Sequence, residues 1–373
     1  MGGVAVILAA SAATAVRLPP VEPAAPPAAV LIDAGSGQVL REQNADAAYP
    51  PGALANLMVV LLGLEEAELG ALPLDVPVTV SAAAKKGAPM ALRADKTYLL
   101  SDLLKAVLVG GVDEAAVAAA EAMSGSVRGC LEIMNARAEK LGMSATRFAS
   151  IGSMNADAAA PADTTSARDL ARLAAALLRH GEVAQWTSLS GLPFDQGAVL
   201  LRNVNQLLGT VPGVDGLQVA SVPAARKQHA SYSIVATAQR GALRLVAVVL
   251  GAADSATRYR SAADLLEWGF AHYQRIEIVR QGEPLPLPIH VVNGSVGKLT
   301  PVAGQTLSVL RSRDEEPNLE VRYQVPSVVY APVTRQQRVG EVIVEEDGQL
   351  LAVIPVMSPR RVSAANVLSA ALP

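Results

Sequence analysis

Strand-like runs open and close one long stretch of this chain, and helix-like runs fill the space between. The economical way to pair such ends is a single sheet assembled from distant segments and covered by helices. The opening run is Ala29-Val30-Leu31-Ile32-Asp33, followed by a turn at Ala34-Gly35-Ser36-Gly37 and then Gln38-Val39-Leu40-Arg41, the pattern of a β-hairpin. The closing pair, residues 232–238 and 243–250, is joined around Arg240-Gly241 and leads into an amphipathic helix bearing Leu265, Leu266, Trp268 and Phe270. Between them, Leu54, Leu57, Met58, Leu61 and Leu62 fall at helical spacing just past Pro50-Pro51-Gly52. Further helices are predicted over 101–108, 114–123, 127–141 and 165–180, with Ser101 and Thr165 as N-caps.

After Tyr273 helical spacing stops and short alternating runs replace it: Leu319, Val321 and Tyr323, then Val342-Ile343-Val344, then residues 350–353. The last two meet around Asp347-Gly348, a strong hairpin signal. A second, all-β unit is therefore expected over residues 275–357, a small sandwich or barrel, and a chain of 373 residues is long enough for two cores. The tail, 358–373, sets Val362, Ala365, Leu368 and Leu372 loosely on one face. With Arg360 and Arg361 as its only basic residues it makes a weak membrane-surface helix, so at most a peripheral membrane contact is expected of it.

At the other end, an apolar run over residues 4–10 precedes Ala13-Thr14-Ala15, the small-x-small form of a signal-peptidase site. Residues 1–15 are expected to be an export signal and the proline-rich residues 16–27 an extended linker. Met1-Gly2-Gly3 puts no Lys or Arg ahead of the run, as expected if the natural start lies upstream. A net charge of -3 without a run of Lys or Arg excludes the electrostatic footprint of a nucleic-acid binder. The single cysteine, Cys130, sits among apolar residues at helical spacing and is expected to be a buried, inert thiol.

Several separated segments then carry a family likeness. They are Tyr49-Pro50-Pro51-Gly52-Ala53-Leu54-Ala55-Asn56-Leu57-Met58, Leu103-Leu104-Lys105, Ala115-Ala116-Val117, Met134-Asn135-Ala136-Arg137-Ala138, Thr164-Thr165-Ser166-Ala167-Arg168-Asp169, Arg202-Asn203, Gly213-Val214-Asp215-Gly216-Leu217 and Ala236-Thr237-Ala238-Gln239-Arg240. In this order they resemble the low-molecular-weight penicillin-binding proteins, the serine D-Ala-D-Ala carboxypeptidases. The resemblance covers residues 28–273, and the β-rich unit is similar to the sandwich that follows the catalytic domain in that family. It implies an α/β (α+β) domain of the penicillin-binding-protein/β-lactamase type, its sheet flanked by helices, followed by a small all-β sandwich.

The family cuts the terminal peptide bond of a peptidoglycan stem through a serine acyl-enzyme. That chemistry needs a nucleophile, a base, a proton shuttle, and a cationic strand edge that binds the substrate carboxylate and offers an oxyanion hole. The resemblance places the serine position of Ser-x-x-Lys on Ala53 and the lysine position on Asn56. Ser-x-Asn falls on Gly111-Val112-Asp113, and Lys-Thr-Gly on Gln218-Val219-Ala220. A methyl group cannot be acylated, and Asp113 with Glu114 sets carboxylates near the place of an anionic substrate end. As neighbours at a helix start these two acids are expected to point apart rather than form an acid/base pair. Residues 224–229 resemble a short insertion.

No replacement constellation is visible. His180, His229, His272 and His290 show no metal-ligand spacing and are expected at the surface or at helix ends; no Gly-x-Ser-x-Gly elbow or cofactor motif occurs, so no cofactor or metal is expected. The resulting expectation is an exported, periplasmic protein of the carboxypeptidase family, peripheral to the inner membrane at most. It would be catalytically silent and act by binding peptidoglycan or a protein of the wall machinery. Active trimming of stem peptides is the alternative from a different class, and an interaction function confined to the β-rich unit is a third.

Overall fold

In a computed structural model, residues 16–17, 28–82, 92–93, 95–151, 162–222, 231–315 and 318–365 are described. The expected export signal, most of the expected linker, the 224–229 insertion with His229, and residues 366–373 of the tail lie outside them. The chain divides into two units, one ending at Ala271 and one formed by the residues from His272 on.

The first unit runs β1 (Val16–Arg17), β2 (Ala28–Asp33), β3 (Val39–Gln43), a 3-10 turn (Gly52–Ala55) continuing into α1 (Asn56–Glu68), β4 (Pro77–Thr79), β5 (Thr97–Leu99), α2 (Leu100–Gly110), α3 (Asp113–Ser124) and α4 (Val127–Lys140). It continues with α5 (Ala167–Leu177), α6 (Gly181–Thr187), β6 (Gly191–Phe194), β7 (Val199–Arg202), β8 (Val214–Val222), β9 (Ser231–Arg240), β10 (Leu243–Ala252) and α7 (Ser255–His272). The expected sheet is present with strand order β1-β3-β2-β10-β9-β8, so the first hairpin pairs with the last. Val30 sits opposite Val248 and Ile32 opposite Val246 in antiparallel register.

Every residue of β2 is buried, because both faces of the sheet are covered. Val30, Ile32, Val246 and Val248 join the core cluster that also holds Leu57, Leu61 and Leu170 from α1 and α5. Leu31 and Leu245 meet α7 at Gly269, where an added Cβ would lie 2.6 Å from a Leu245 methyl and 2.7 Å from a Leu31 methyl. Only glycine lets the helix come this close.

Four expectations need correction. Val16 and Arg17, assigned to the linker, pair in parallel with Arg41 and Glu42 as an edge strand. The α2 N-cap is Leu99 with no side-chain bond, and Ser101 lies inside the helix. The α5 cap is Ser166, whose hydroxyl accepts from the Asp169 amide, while Thr165 bridges Tyr49 and shares a 2.9 Å hydrogen bond with the Thr146 hydroxyl. Helix α5 stops at Leu177, and α6 begins after His180. The strand β8 gave no periodic signal, because Asp215, Gly216 and Gln218 interrupt the apolar alternation of Val214, Leu217 and Val219.

The second unit is all β: β11 (Tyr273–Val279), β12 (Ile289–Val292), β13 (Lys298–Leu299), β14 (Val302–Ala303), β15 (Leu307–Ser312), β16 (Leu319–Gln324), β17 (Val328–Tyr330), β18 (Arg338–Glu346) and β19 (Gln349–Met357). They form sheets β11-β15, β13-β12-β17 and β14-β19-β18-β16 around a core that includes Ile289, Leu299, Val342, Val344 and Val356. At the β18–β19 turn both Asp347 and Gly348 have positive φ, 49° and 77°, as a tight two-residue hairpin demands. The tail does not begin where the sequence suggests. Val362 is 1% exposed and bridges Val333, so it belongs to this core.

Candidate functional site

The 3-10 turn after Pro51 carries Ala53 and delivers Asn56 as the first residue of α1. Ala53 is partly buried and packs against the core, whereas Asn56 is 1% exposed. From there the Asn56 amide donates a 2.7 Å hydrogen bond to the Asp113 carboxylate, which opens α3. Asp113 and Glu114 occupy the first turn of that helix, where the N-terminal dipole favours negative charge. Glu114 is buried at 6% exposure, so it is not an exposed partner for a ligand.

Gly111 closes α2 in the left-handed conformation, φ 62°, a position that favours glycine. A Cβ added there would lie 3.4 Å from Val204 and 3.9 Å from the Gln218 side-chain oxygen. Gln218 itself, on the edge strand β8, is completely buried. Its amide nitrogen donates to the Val107 carbonyl of α2 at 2.6 Å, and its oxygen accepts from the Val219 amide at 2.9 Å. The side chain thus ties β8 to the last turn of α2 and occupies the Val219 N–H.

Further along β8, a Cβ on Gly52 would touch Val222 at 3.0 Å and Ala220 at 3.5 Å, so the turn bearing Ala53 lies against this strand. The three segments singled out by resemblance therefore converge: Ala53 and Asn56 from the turn and α1, Gly111 and Asp113 from the α2–α3 junction, and Gln218, Val219 and Ala220 from β8. None of these positions holds a hydroxyl, a thiol or an amine.

One participant was missed from sequence. Arg258 on α7 is 6% exposed and donates to the Ala220 carbonyl at 2.8 Å and the Ser221 hydroxyl at 3.1 Å. Its guanidinium stacks 4.7 Å from the Tyr259 ring centre, and among the described residues its Nε has no hydrogen-bond partner. The cation absent at position 218 is thus accompanied by a buried cation beside Ala220. A signal did exist: Arg258 falls on the buried period of α7 with Ala262, Leu265, Leu266 and Gly269.

The remaining candidates lie elsewhere. His180 is buried at the N-cap of α6 with its Nδ1 2.7 Å from a Glu68 oxygen, His272 ends α7, and His290 is exposed on β12. Among the described residues no group of three His, Cys, Asp or Glu is placed to hold a metal. Burial pushes the Cys130 thiol up to about 12.

Comparison with known proteins covers both units. Residues 14–254 match the family model described as D-alanyl-D-alanine carboxypeptidase, and residues 273–364 match that of the penicillin-binding protein 5 C-terminal domain. The chain is 28% identical over 338 residues to the D-alanyl-D-alanine carboxypeptidase DacC of Escherichia coli, spanning 88% of this chain and 82% of the relative. It is 25% identical over 347 residues to DacF of Bacillus subtilis, also named a D-alanyl-D-alanine carboxypeptidase, spanning 91% and 87% respectively. The crystal structure of penicillin-binding protein 5 from Haemophilus influenzae superposes with a TM-score of 0.66 at 25% identity, covering 93% of this chain and 99% of that one.

Proposed function

Since this chain belongs to the D-alanyl-D-alanine carboxypeptidase family, we propose that it serves the cell wall as a non-catalytic member, exported to the periplasm and acting by binding peptidoglycan or a protein of the wall machinery. The observation that supports this is the chemistry of the converging positions. Acyl transfer needs an activated hydroxyl, and the position where the family resemblance puts it carries the Ala53 methyl. The neighbouring base position carries Asn56, a neutral amide bonded to Asp113. Where a substrate would pair with the edge of β8, the Val219 N–H is already taken by Gln218. Among the described residues no helix is long and apolar enough to cross a membrane.

Active carboxypeptidase chemistry is the alternative, favoured by the names its relatives carry. One measurement separates the two. The purified protein is incubated with a fluorescent penicillin and, separately, with a stem pentapeptide, and is followed by intact mass and by D-Ala release. No adduct and no D-Ala are expected; a stoichiometric mass increase on the unaltered chain would overturn the non-catalytic reading. Pull-down on purified sacculi then distinguishes binding to the wall polymer from binding to a protein partner.

A further inference from the structure

The first unit has a second concavity on a different part of its sheet. A cavity of about 260 Å³ lies between the turn that joins β2 to β3 and helix α5. Strands β10 and β9 separate β2 from β8, so at about 4.8 Å per strand the cavity stands roughly 14 Å from the edge that carries Gln218. Ile32, Val39, Leu141 and Ala175 give it apolar walls, and Arg168, Arg172 and Arg179 line it as well. Among the described residues no acid lines it.

Helical spacing explains why the cations share one side. Positions 168, 172 and 179 are separated by about one turn and then about two, and the methyl of Ala175 between them leaves the space open. Arg168 is already committed, its Nε to Asp46 and its Nη2 to Glu42 and Asp46. Arg172 spends only Nη1, on the Gly142 carbonyl and on Asp169, and among the described residues its Nε and Nη2 make no hydrogen bond. Asp169 itself is 2% exposed and accepts from the Ala145 amide and the Thr146 hydroxyl. Arg179, exposed in the turn after α5, pairs with no carboxylate among the described residues. Two guanidiniums with donors to spare thus stand over an apolar hollow.

We propose that this cavity binds a small organic oxyanion, a carboxylate or phosphate ester that carries a short apolar group. Arg172 and Arg179 hold the charged end, because the planar guanidinium fork matches the paired oxygens of either group. The apolar part lies against Ile32, Val39 and Ala175. The volume sits near the lower end of ligand pockets, so it suits a small molecule or the end of a chain rather than the middle of a polymer. The negative end of the α5 dipole opposes an anion beside Arg179, but an exposed helix terminus costs an anion less than charged hydrogen bonds return. Two sources share this chemistry: the free C-terminus of a short peptide and a phosphate monoester. No lining residue belongs to the converging positions around Ala53, so this binding is expected whether or not the first unit is catalytic.

The test is isothermal titration calorimetry of the full chain with acetyl-D-Ala-D-Ala, its C-terminal amide, n-butyl phosphate and inorganic phosphate. Saturable binding is expected for the peptide acid or for butyl phosphate, at least about tenfold tighter than for inorganic phosphate, since each buried methylene adds affinity. The amide should not bind. Binding of the acid alone assigns the cavity to peptide ends, and binding of butyl phosphate alone assigns it to phosphate esters. Arg172→Gln/Arg179→Gln should weaken the binding at least about tenfold through the lost charged hydrogen bonds. Ala175→Leu, which fills the hollow and leaves every charge in place, should abolish it. Arg179→Gln alone removes no bond among the described residues, so it should weaken binding several-fold while the thermal transition stays where it is. No binding of either apolar anion overturns the proposal, and so does an amide that binds as tightly as the acid. Undiminished binding by Arg179→Gln, or by a folded Ala175→Leu chain, places the ligand elsewhere and overturns it too.

Discussion

Ala53 alone should prevent acylation, but restoring a serine there will not restore it. In Ala53→Ser the new hydroxyl faces neutral Asn56, and general-base help is worth about 10²- to 10⁴-fold. Adding Asn56→Lys places an ammonium where the Asn56 amide now bonds Asp113 at 2.7 Å. An adjacent carboxylate holds a lysine protonated, and a protonated lysine is no base. The Ala53→Ser/Asn56→Lys chain should therefore form no adduct by intact mass. Measurable acylation is expected only with Gly111→Ser, Asp113→Asn, Gln218→Lys, Val219→Thr and Ala220→Gly as well, and that chain should be less stable than the parent. Gly111 sits at φ 62°, which costs a side-chain-bearing residue roughly 1 kcal/mol, and Gln218 is fully buried, so a lysine there must desolvate a charge. Gln218→Ala should by itself cost about 1 to 3 kcal/mol in urea unfolding, because it strands the Val219 amide and weakens the link to Val107. Cys130, its thiol pushed up to about 12 by burial, should resist iodoacetamide until denaturant is added. The sequence could locate Ala53, Asn56 and Gln218 because their flanks fix the register. It could not tell that Gln218 bonds both walls of its own site, since residue types do not announce their partners, and Arg258 stayed hidden as a lone charge at an apolar position.

Element boundaries were legible where apolar period and turn chemistry agreed. Helix α4 is predicted over 127–141 and observed over Val127–Lys140, and the β18–β19 hairpin forms at its Asp-Gly pair. The caps were misplaced by short steps, because Thr165-Ser166 offers two hydroxyls in succession and only the backbone conformation decides which one caps. Ser166→Ala should therefore cost about 1 kcal/mol, while Ser101→Ala, inside α2, should stay within about 0.5 kcal/mol; thermal melts of the two chains distinguish them. Helix α5 is also tied to the first hairpin. Arg168 bonds Asp46 at 2.7 Å and Glu42 at 2.6 Å, and the bond from Arg168 holds the Asp46 carboxyl below its ordinary range. A lowered carboxylate pKa gives stability that is present above the unfolded value and lost as pH falls through the folded one. Arg168→Met should thus lower stability by about 1 kcal/mol or less near neutral pH, since Asp46 is exposed and the pair is screened. The gap from the parent should close as acid protonates Asp46. A gap that stays the same in acid would show that Arg168 matters for packing alone.

At the scale of the molecule, two cores with different periodicities account for what the sequence reveals. The first has alternating runs at its ends and helical spacing between them, and the sheet that joins β2 to β10 follows from that pattern. The second reads as short strands, but its end is obscured, because Pro359-Arg360-Arg361 looks like the start of a polar tail. Physically the strand region continues past it. Val362 is 1% exposed and bridges Val333, Ser358 is buried with its hydroxyl on the Arg360 carbonyl, and the Ala365 amide donates to the Asn293 carbonyl at 2.7 Å. A chain ended after Met357 loses these bonds and uncovers the side of the core that Val362 fills, where burying one valine is worth about 1.5 to 3 kcal/mol. A chain ended after Ala365 keeps them all. Calorimetry of the two truncations should show the second unit melting lower, or not at all, in the shorter chain and unchanged in the longer. The transition of the first unit should hold its temperature in both, since its core residues come from a different part of the chain. Equal melting of the two truncations would place the boundary of the second unit back at Met357.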